Sequence, residues 1–315
     1  MKPGFIKVVC NICILLVILV SFDLLVGLGG QKYMNWLNQY PREGDAALVN
    51  YNLNAAVPYV AIIGSSTAIC HYDPSIIHDS ILSYTNRDLS VFNMGMSKQR
   101  MAYCYYAQKS LLERKVPKVV IADVWASFLS SNYESCSFNE FRPYIKSNHI
   151  IKDMLEEYDQ ISLLTKSNLY CYNTEFIKLL LSVQKGKSVD GYDRSCKVEL
   201  TVPAIKEEEI DCSELSYRSK TDFDNMIDLS KKNSYLLFVV LSPRLNPSDT
   251  TSKSYKYIKA KCEENEVPFL DFANDTKYYE TRYFRDKTHM NYYGAQLFTK
   301  ELMKDIKDIL INRLN

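Results

Sequence analysis

Tyr59-Val60-Ala61-Ile62-Ile63-Gly64-Ser65-Ser66-Thr67-Ala68 sets the pattern that decides the fold: an apolar, β-rich run that stops at a turn of small polar residues. Such a run reads as a buried strand feeding a turn. A helix start follows at Asp73-Pro74, an acidic N-cap with proline at the first helical position. The alternation then repeats. Leu89 to Asn93 forms a second strand, and Ser97 to Lys115 a helix with Met101, Tyr105, Leu111 and Leu112 roughly on one face. Lys118 to Ala122 is continuous and branched, as expected of a strand buried on both faces. Tyr235 to Leu241 and Val267 to Asp271 supply a fourth and a fifth strand, and the last helix, Tyr292 to Arg313, places Leu297, Met303, Ile306 and Leu310 on one side. Strands separated by helices need crossover connections, which favour a parallel sheet covered on both faces. The expected fold is therefore α/β, a doubly wound, mainly parallel five-stranded sheet. Ligands of such sheets collect beyond the carboxyl ends of the strands, where Ser66 follows the first strand and Gly95 the second. Phe128 to Tyr217 departs from the alternation, with helical stretches near Ile150 to Leu164 and Thr174 to Val183. It reads as a helical insertion over the site, about 128–217.

Ahead of this body, Lys2 and Lys7 precede or flank an apolar stretch from Val8 to Gly30, whose 23 residues can cross a hydrocarbon core of about 30 Å as a helix. Asn11 and Asp23 sit near its ends, where polar groups cost least. Lysines before the run place the N-terminus in the cytoplasm and the remainder outside it. A cleaved signal peptide is the rival reading, with small residues at Gly27 and Gly29, but the length of the run favours an anchor. The organisation read from the chain is a membrane helix over 1–30, a polar juxtamembrane linker over 31–58 containing Pro41 and Gly44, and an α/β domain over 59–315.

With 47% hydrophobic and 24% charged residues, the 315-residue chain has the make-up of a folded protein. Lysine plus arginine total 38 against 37 acidic residues, so no basic field exists to hold nucleic acid. The 24 tyrosines fit aromatic sugar platforms and coding bias equally. Of nine cysteines, Cys10 and Cys13 lie in the apolar run; the other seven are odd in number, so at least one is unpaired. An oxidising compartment would permit a disulfide such as Cys196 with Cys212. Zinc-ligand spacing is lacking outside the apolar run, and no cofactor or metal is expected.

Chemistry is suggested by two distant motifs. A serine hydroxyl is a poor nucleophile near neutral pH; it needs an imidazole to take its proton and a carboxylate to hold that imidazole in one tautomer. Asp286-Lys287-Thr288-His289 offers base and orienter together, and Gly64-Ser65-Ser66 offers the hydroxyl. Ser65 and Ser66 also fit a hydrogen-bonded turn, Asp286 a cap of the last helix and His289 a buried polar residue. His71, His78 and His149 are weaker candidates for the base.

Taken in order, these blocks resemble the SGNH, or GDSL-like, hydrolase superfamily over most of residues 59–312: Gly64-Ser65-Ser66 after strand one, Asn93-Met94-Gly95 after strand two, and Asp286, His289, Asn291 and Gly294 at the end. The resemblance implies a flavodoxin-like SGNH fold and a catalytic triad of Ser66, His289 and Asp286, with the backbone amides of Ser66 and Gly95 as oxyanion hole. Ser65, Asn93, Asp123 and Asn291 are the implied substrate contacts. One block departs from the family: where a Gly-x-Asn-Asp turn would follow strand three, the chain reads Ile121-Ala122-Asp123-Val124-Trp125. Loss of one oxyanion donor costs about 100-fold to 1,000-fold in rate, and Ser127 and Asn132 are the candidates to fill the gap. The Gly-Ser-Ser form and the N-terminal helix look more like the envelope branch, which includes alginate O-acetylation and teichoic-acid D-alanylation proteins. That branch implies an esterase or O-acyltransferase acting on an acylated envelope polysaccharide, with a membrane-bound acyl donor protein as partner. The alternative is a catalytically weak or inactive SGNH-like glycan-binding or assembly component of an envelope complex.

Overall fold

The computed structural model describes residues 3–42, 45–131, 137–183, 187–193 and 214–314. In chain order its elements are helices α1 (Pro3–Leu37) and α2 (Asp45–Asn54), strand β1 (Val60–Ile63), α3 (Ser66–His71), α4 (Pro74–Thr85), β2 (Val91–Asn93), α5 (Met101–Arg114), β3 (Val119–Asp123), α6 (His149–Glu157), α7 (Asn168–Ser182), α8 (Tyr217–Asn233), β4 (Leu236–Leu241), α9 (Lys253–Glu264), β5 (Phe269–Asp271), α10 (Tyr292–Asp305) and α11 (Lys307–Leu314). The five strands form one parallel sheet in the order β2-β1-β3-β4-β5, with Ala61 opposite Phe92 on one side and Val120 on the other. The winding reverses between β1 and β3, so a crevice opens there at the carboxyl edge.

Period-two alternation divides the strand side chains between two cores. Ala61, Ile63, Val120, Ala122, Leu237 and Val239 face a layer built from α1, α2, α5, α6, α7 and α8. Val60, Ile62, Val119, Ile121, Phe238 and Val240 face α4, α10 and α11. Asp73 caps α4, its Oδ1 accepting the Ser75 amide at 3.0 Å, with Pro74 as first helical residue. The single terminal helix expected over 292–313 is divided at Ile306, which lets α11 turn so that Leu310 and Leu314 stay buried against the α4 layer.

Residues 31–58 are not the expected linker. The apolar N-terminal helix runs on to Leu37, α2 follows, and Met34, Leu37, Leu48, Val49 and Leu53 are buried in the first core. Polar composition hid this, because Asn35, Asn38, Asn50, Asn52 and Asn54 alternate with the apolar face. Each fully buried side chain of this kind contributes about 2 kcal/mol. Leu37→Ala should therefore lower stability by about 3 kcal/mol in denaturant titrations of the detergent-solubilised chain, where a linker residue would leave the midpoint unchanged.

The insertion also differs from its expected role. Helices α6 and α7 pack on α5, α1 and α2, thickening one layer. Of its described residues, the segment 187–193 reaches the carboxyl edge: the Asn93 amide donates to Asp190 O at 2.8 Å and the Asp193 amide to Ile69 O at 3.2 Å. Gly191 makes this approach with φ +77°, and a Cβ there would lie 1.9 Å from Asn93 O. The suggested pair Cys196 and Cys212, and Asn132, lie outside the described residues.

Candidate active site

Strand β1 ends at Ile63 and the chain turns through Gly64 into α3, whose first residue is Ser66. Glycine is required at the turn because a Cβ on Gly64 would meet the Asp123 backbone oxygen at 2.9 Å. As first residue of α3, Ser66 has no acceptor for its amide within its own helix. Its side chain is partly exposed at the crevice.

The other half of the site comes from the far end of the chain. Phe284 and Met290 form an isolated antiparallel bridge, and the Arg285 amide donates to His289 O at 3.0 Å, closing residues 285–289 into a tight loop. Asn291 caps α10 immediately afterwards, its Oδ1 accepting the Gly294 amide at 3.0 Å. Thr299 Oγ1 on α10 donates to His71 O at 3.1 Å and accepts from the Asp73 amide at 3.1 Å, tying α10 to the end of α3.

This scaffold brings His289 Nε2 to 2.7 Å from Ser66 Oγ and His289 Nδ1 to 2.9 Å from both oxygens of Asp286. With a neutral ring, Nδ1–H donates to the carboxylate and Nε2 accepts from the serine hydroxyl. Asp286 Oδ1 also accepts the amides of Thr288 and His289, each at 2.9 Å. Partial burial works to raise the Asp286 pKa, but the His289 ring and these two amides outweigh it and hold the carboxyl well below its ordinary value. The orienter is thus charged throughout the neutral range.

Behind this pair lies a buried polar network. Asp123, fully buried at the end of β3, accepts from Thr67 Oγ1, from Tyr72 OH at 2.9 Å and from the Ser242 amide at 3.3 Å. Burial pushes its pKa up, and these donors pull against that shift. His71, also fully buried, accepts the Met290 amide on Nε2 at 3.0 Å, which leaves Nδ1–H to donate to Ser242 Oγ at 3.0 Å. Burial first, and repulsion from the His289 ring when that ring is protonated second, keep His71 well below the usual imidazole pKa and so neutral. The network links Thr67, next to the nucleophile, with Met290, next to the base. Asp123→Ala would strand several buried donors and should cost about 3 kcal/mol, read as a lower melting temperature of the purified protein.

Several sequence expectations are corrected here. Asn93 is fully buried; its Nδ2 donates to Ala68 O at 2.7 Å and Tyr72 O at 3.2 Å, so it braces α3 and does not meet substrate. Its Oδ1 accepts the Gly95 amide at 2.9 Å, an Asx turn that occupies the donor expected to serve the oxyanion hole. Asn291 and Asp123 are likewise fully buried and engaged inside the protein, and Ser65 is buried at the N-cap of α3. His78 pairs with Asp79 and Asp88 on the surface of α4, and His149 with Glu113, both away from Ser66. Ser127 lies in a 3-10 turn after β3, buried, with its Oγ lacking a hydrogen-bond partner among the described residues.

Three residues of the site were missed from sequence. Ser242 directly follows β4, the same edge position that drew attention to Ser66 and Gly95, and could have been found by that rule. Thr67 and Arg285 sit beside the recognised motifs. Arg285 lies 3.6 Å from Asp286 and donates to Cys70 Sγ at 3.1 Å, adding positive charge beside the base.

No family model matches this chain, and no curated protein matches it. Among solved structures it is similar to the acetyl xylan esterase AlAXEase, at 9% identity and a TM-score of 0.40 over 78% of this chain and 99% of that one. It is similar to the psychrotrophic esterase EstA from Pseudoalteromonas sp., at 11% identity and 0.43 over 80% and 97%. A catalytic mutant of an acetylxylan esterase from Geobacillus stearothermophilus aligns at 11% identity and 0.39 over 78% and 93%. Likeness this remote carries no chemistry across, and what the site can do rests on its own atoms.

Proposed function

We propose that the protein is a serine-dependent esterase or O-acyltransferase of the SGNH type, anchored to a membrane by α1 and acting on an acylated envelope polysaccharide. The observation that carries this reading is the unbroken chain Ser66 Oγ, His289 Nε2, His289 Nδ1, Asp286 carboxylate, at 2.7 Å and 2.9 Å. In the reaction, Ser66 Oγ attacks the ester carbonyl while its proton passes to His289 Nε2. The Ser66 amide at the head of α3 donates to the oxyanion, and Gly95 can join it only by sharing its amide with Asn93. Collapse of the tetrahedral intermediate expels the alcohol, which takes the proton back from His289, and leaves an acyl-serine. Water as second acceptor makes an esterase; a sugar hydroxyl makes an acyltransferase, in which case a membrane-bound protein would present the acyl donor.

The test is mass spectrometry of the purified chain after treatment with a fluorophosphonate: a single adduct on the peptide holding Ser66 is expected. Partition of the acyl-serine between water and an added deacetylated polysaccharide then separates the two activities. A second reading, a catalytically weak or inactive glycan-binding or assembly component, is favoured by the occupied Gly95 amide and by the lack of an asparagine in the stretch Val124-Trp125-Ala126-Ser127 after β3. It predicts no adduct, and full function in cells carrying His289→Ala.

A further inference from the structure

We propose that the turn 161–166, at the foot of α7, dips into the lipid bilayer beside α1 and fixes how the domain stands on the membrane. This rests on α1 being a membrane span. Residues 4–22 of α1 are exposed on every side, and at 1.5 Å per residue they measure about 28 Å, close to the thickness of a hydrocarbon core. The next residue, Asp23, is gripped by the domain. Its carboxylate accepts from Ser167 Oγ at 2.6 Å, the Asn168 amide at 3.1 Å, Asn168 Nδ2 at 3.0 Å and the Leu169 amide at 2.9 Å. These amides are the unpaired donors that open α7, so an acidic residue of the span serves as part of its cap.

Beyond that point the two helices stay together. A Cβ on Gly27 would lie 2.6 Å from the Asn168 side chain, one on Gly30 2.5 Å from the Tyr172 ring, and Tyr33 OH donates to Leu179 O. Helix α7 therefore begins at the Asp23 level of α1, where Leu24, Leu25 and Leu28 still face outward, and runs beside it from there.

The turn that precedes α7 is held at the same level, since three residues reach at most about 10 Å. It exposes Leu163 by 80% and Leu164 by 59%. Lys166 follows, and Lys146 joins it through a 2.7 Å hydrogen bond from Nζ to Lys166 O. Adjacent leucines left in water forgo about 2 kcal/mol each; placed in the interface they are buried while the lysines meet lipid phosphates. The occupant is lipid because the patch lies level with exposed apolar side chains of α1 on both sides of Asp23, Phe22 before it and Leu24 and Leu25 after it. The same contacts argue for an uncleaved helix: a cut at Gly27 or Gly29 would strip Asp23 from the α7 cap.

The experiment uses the full chain in vesicles of phosphatidylcholine and phosphatidylglycerol, with and without brominated acyl chains. Leu163→Trp is compared with Leu82→Trp, whose site is exposed on α4 in the opposite layer, after subtracting the signal of the native Trp36 and Trp125. Brominated lipid should lower the emission added by Leu163→Trp about twofold and leave that of Leu82→Trp unchanged. An unquenched Leu163→Trp in protein that floats with carbonate-washed vesicles overturns the inserted turn while the span stands. Failure to float overturns both.

Discussion

Ser66→Ala loses ester turnover by at least about 10⁴-fold and no longer takes a fluorophosphonate, while the circular dichroism spectrum and melting temperature stay those of the wild type. The size follows from the chemistry. Without Oγ there is no acyl-enzyme, and whatever acceleration remains comes from binding and oxyanion contacts alone. The fold is spared because Ser66 Oγ sits at the open end of the crevice and its hydrogen bond is to His289. His289→Ala should fall to the same floor, and the double variant no lower, since nucleophile and base act as one unit. Residual activity above a tenth of the wild type in Ser66→Ala would rule out the serine mechanism.

Asp286→Asn lowers kcat by about 10⁴-fold at neutral pH although it leaves the loop in place. An asparagine oxygen can still accept the Thr288 and His289 amides that Asp286 now holds. What it cannot do is accept Nδ1–H with its amide nitrogen, so the ring adopts the other tautomer and presents N–H to Ser66. Steady-state kcat beside a melting curve checks both halves of the expectation: activity lost, stability nearly kept. Acid titration adds an independent readout. The Asp286 pKa is depressed in the folded state, so its stabilising share is complete above the unfolded value of about 4 and is lost as pH falls towards the folded one. Wild-type melting temperature should drop through that acid range more steeply than that of Asp286→Asn. Equal slopes would mean that Asp286 is not held as a charged partner of His289.

The parallel sheet was legible because its signals are local. Each strand is an apolar run, Gly64-Ser65 and Ser242-Pro243 punctuate the ends of β1 and β4, and Asp73-Pro74 marks a helix start by rules of capping alone. The pairing of Ser66 with His289 was legible for a different reason: Gly64-Ser65-Ser66 and Asp286-x-x-His289 resemble, in order, the first and last blocks of a known hydrolase superfamily. Roles of the buried polar residues were not legible. Asn93 and Asn291 stand beside reactive motifs in sequence and Asp123 ends a strand at the functional edge, and those placements suggested substrate contact. Burial and partners decide otherwise, and both depend on which segments fold over them: Ala68 and Tyr72 for Asn93, Thr67, Tyr72 and Ser242 for Asp123, Arg282 and Gly294 for Asn291.

Sequence alone thus determined the α/β class, the strand boundaries to within a residue or two, the apolar N-terminal helix, and the identity of the serine, histidine and aspartate that meet. Short-range pattern and backbone chemistry suffice for the first three, and the ordered resemblance of the two motifs to a known superfamily supplies the last. Only the tertiary structure decided that Met34, Leu37, Leu48, Val49 and Leu53 belong to the core, that Asp23 closes the cap of α7, and that Gly95 gives its amide to Asn93. Each of these depends on a partner that arrives from elsewhere in space or turns back within a loop. A polar side chain carries no mark of whether it will face water, substrate or another buried donor until the chain has closed around it.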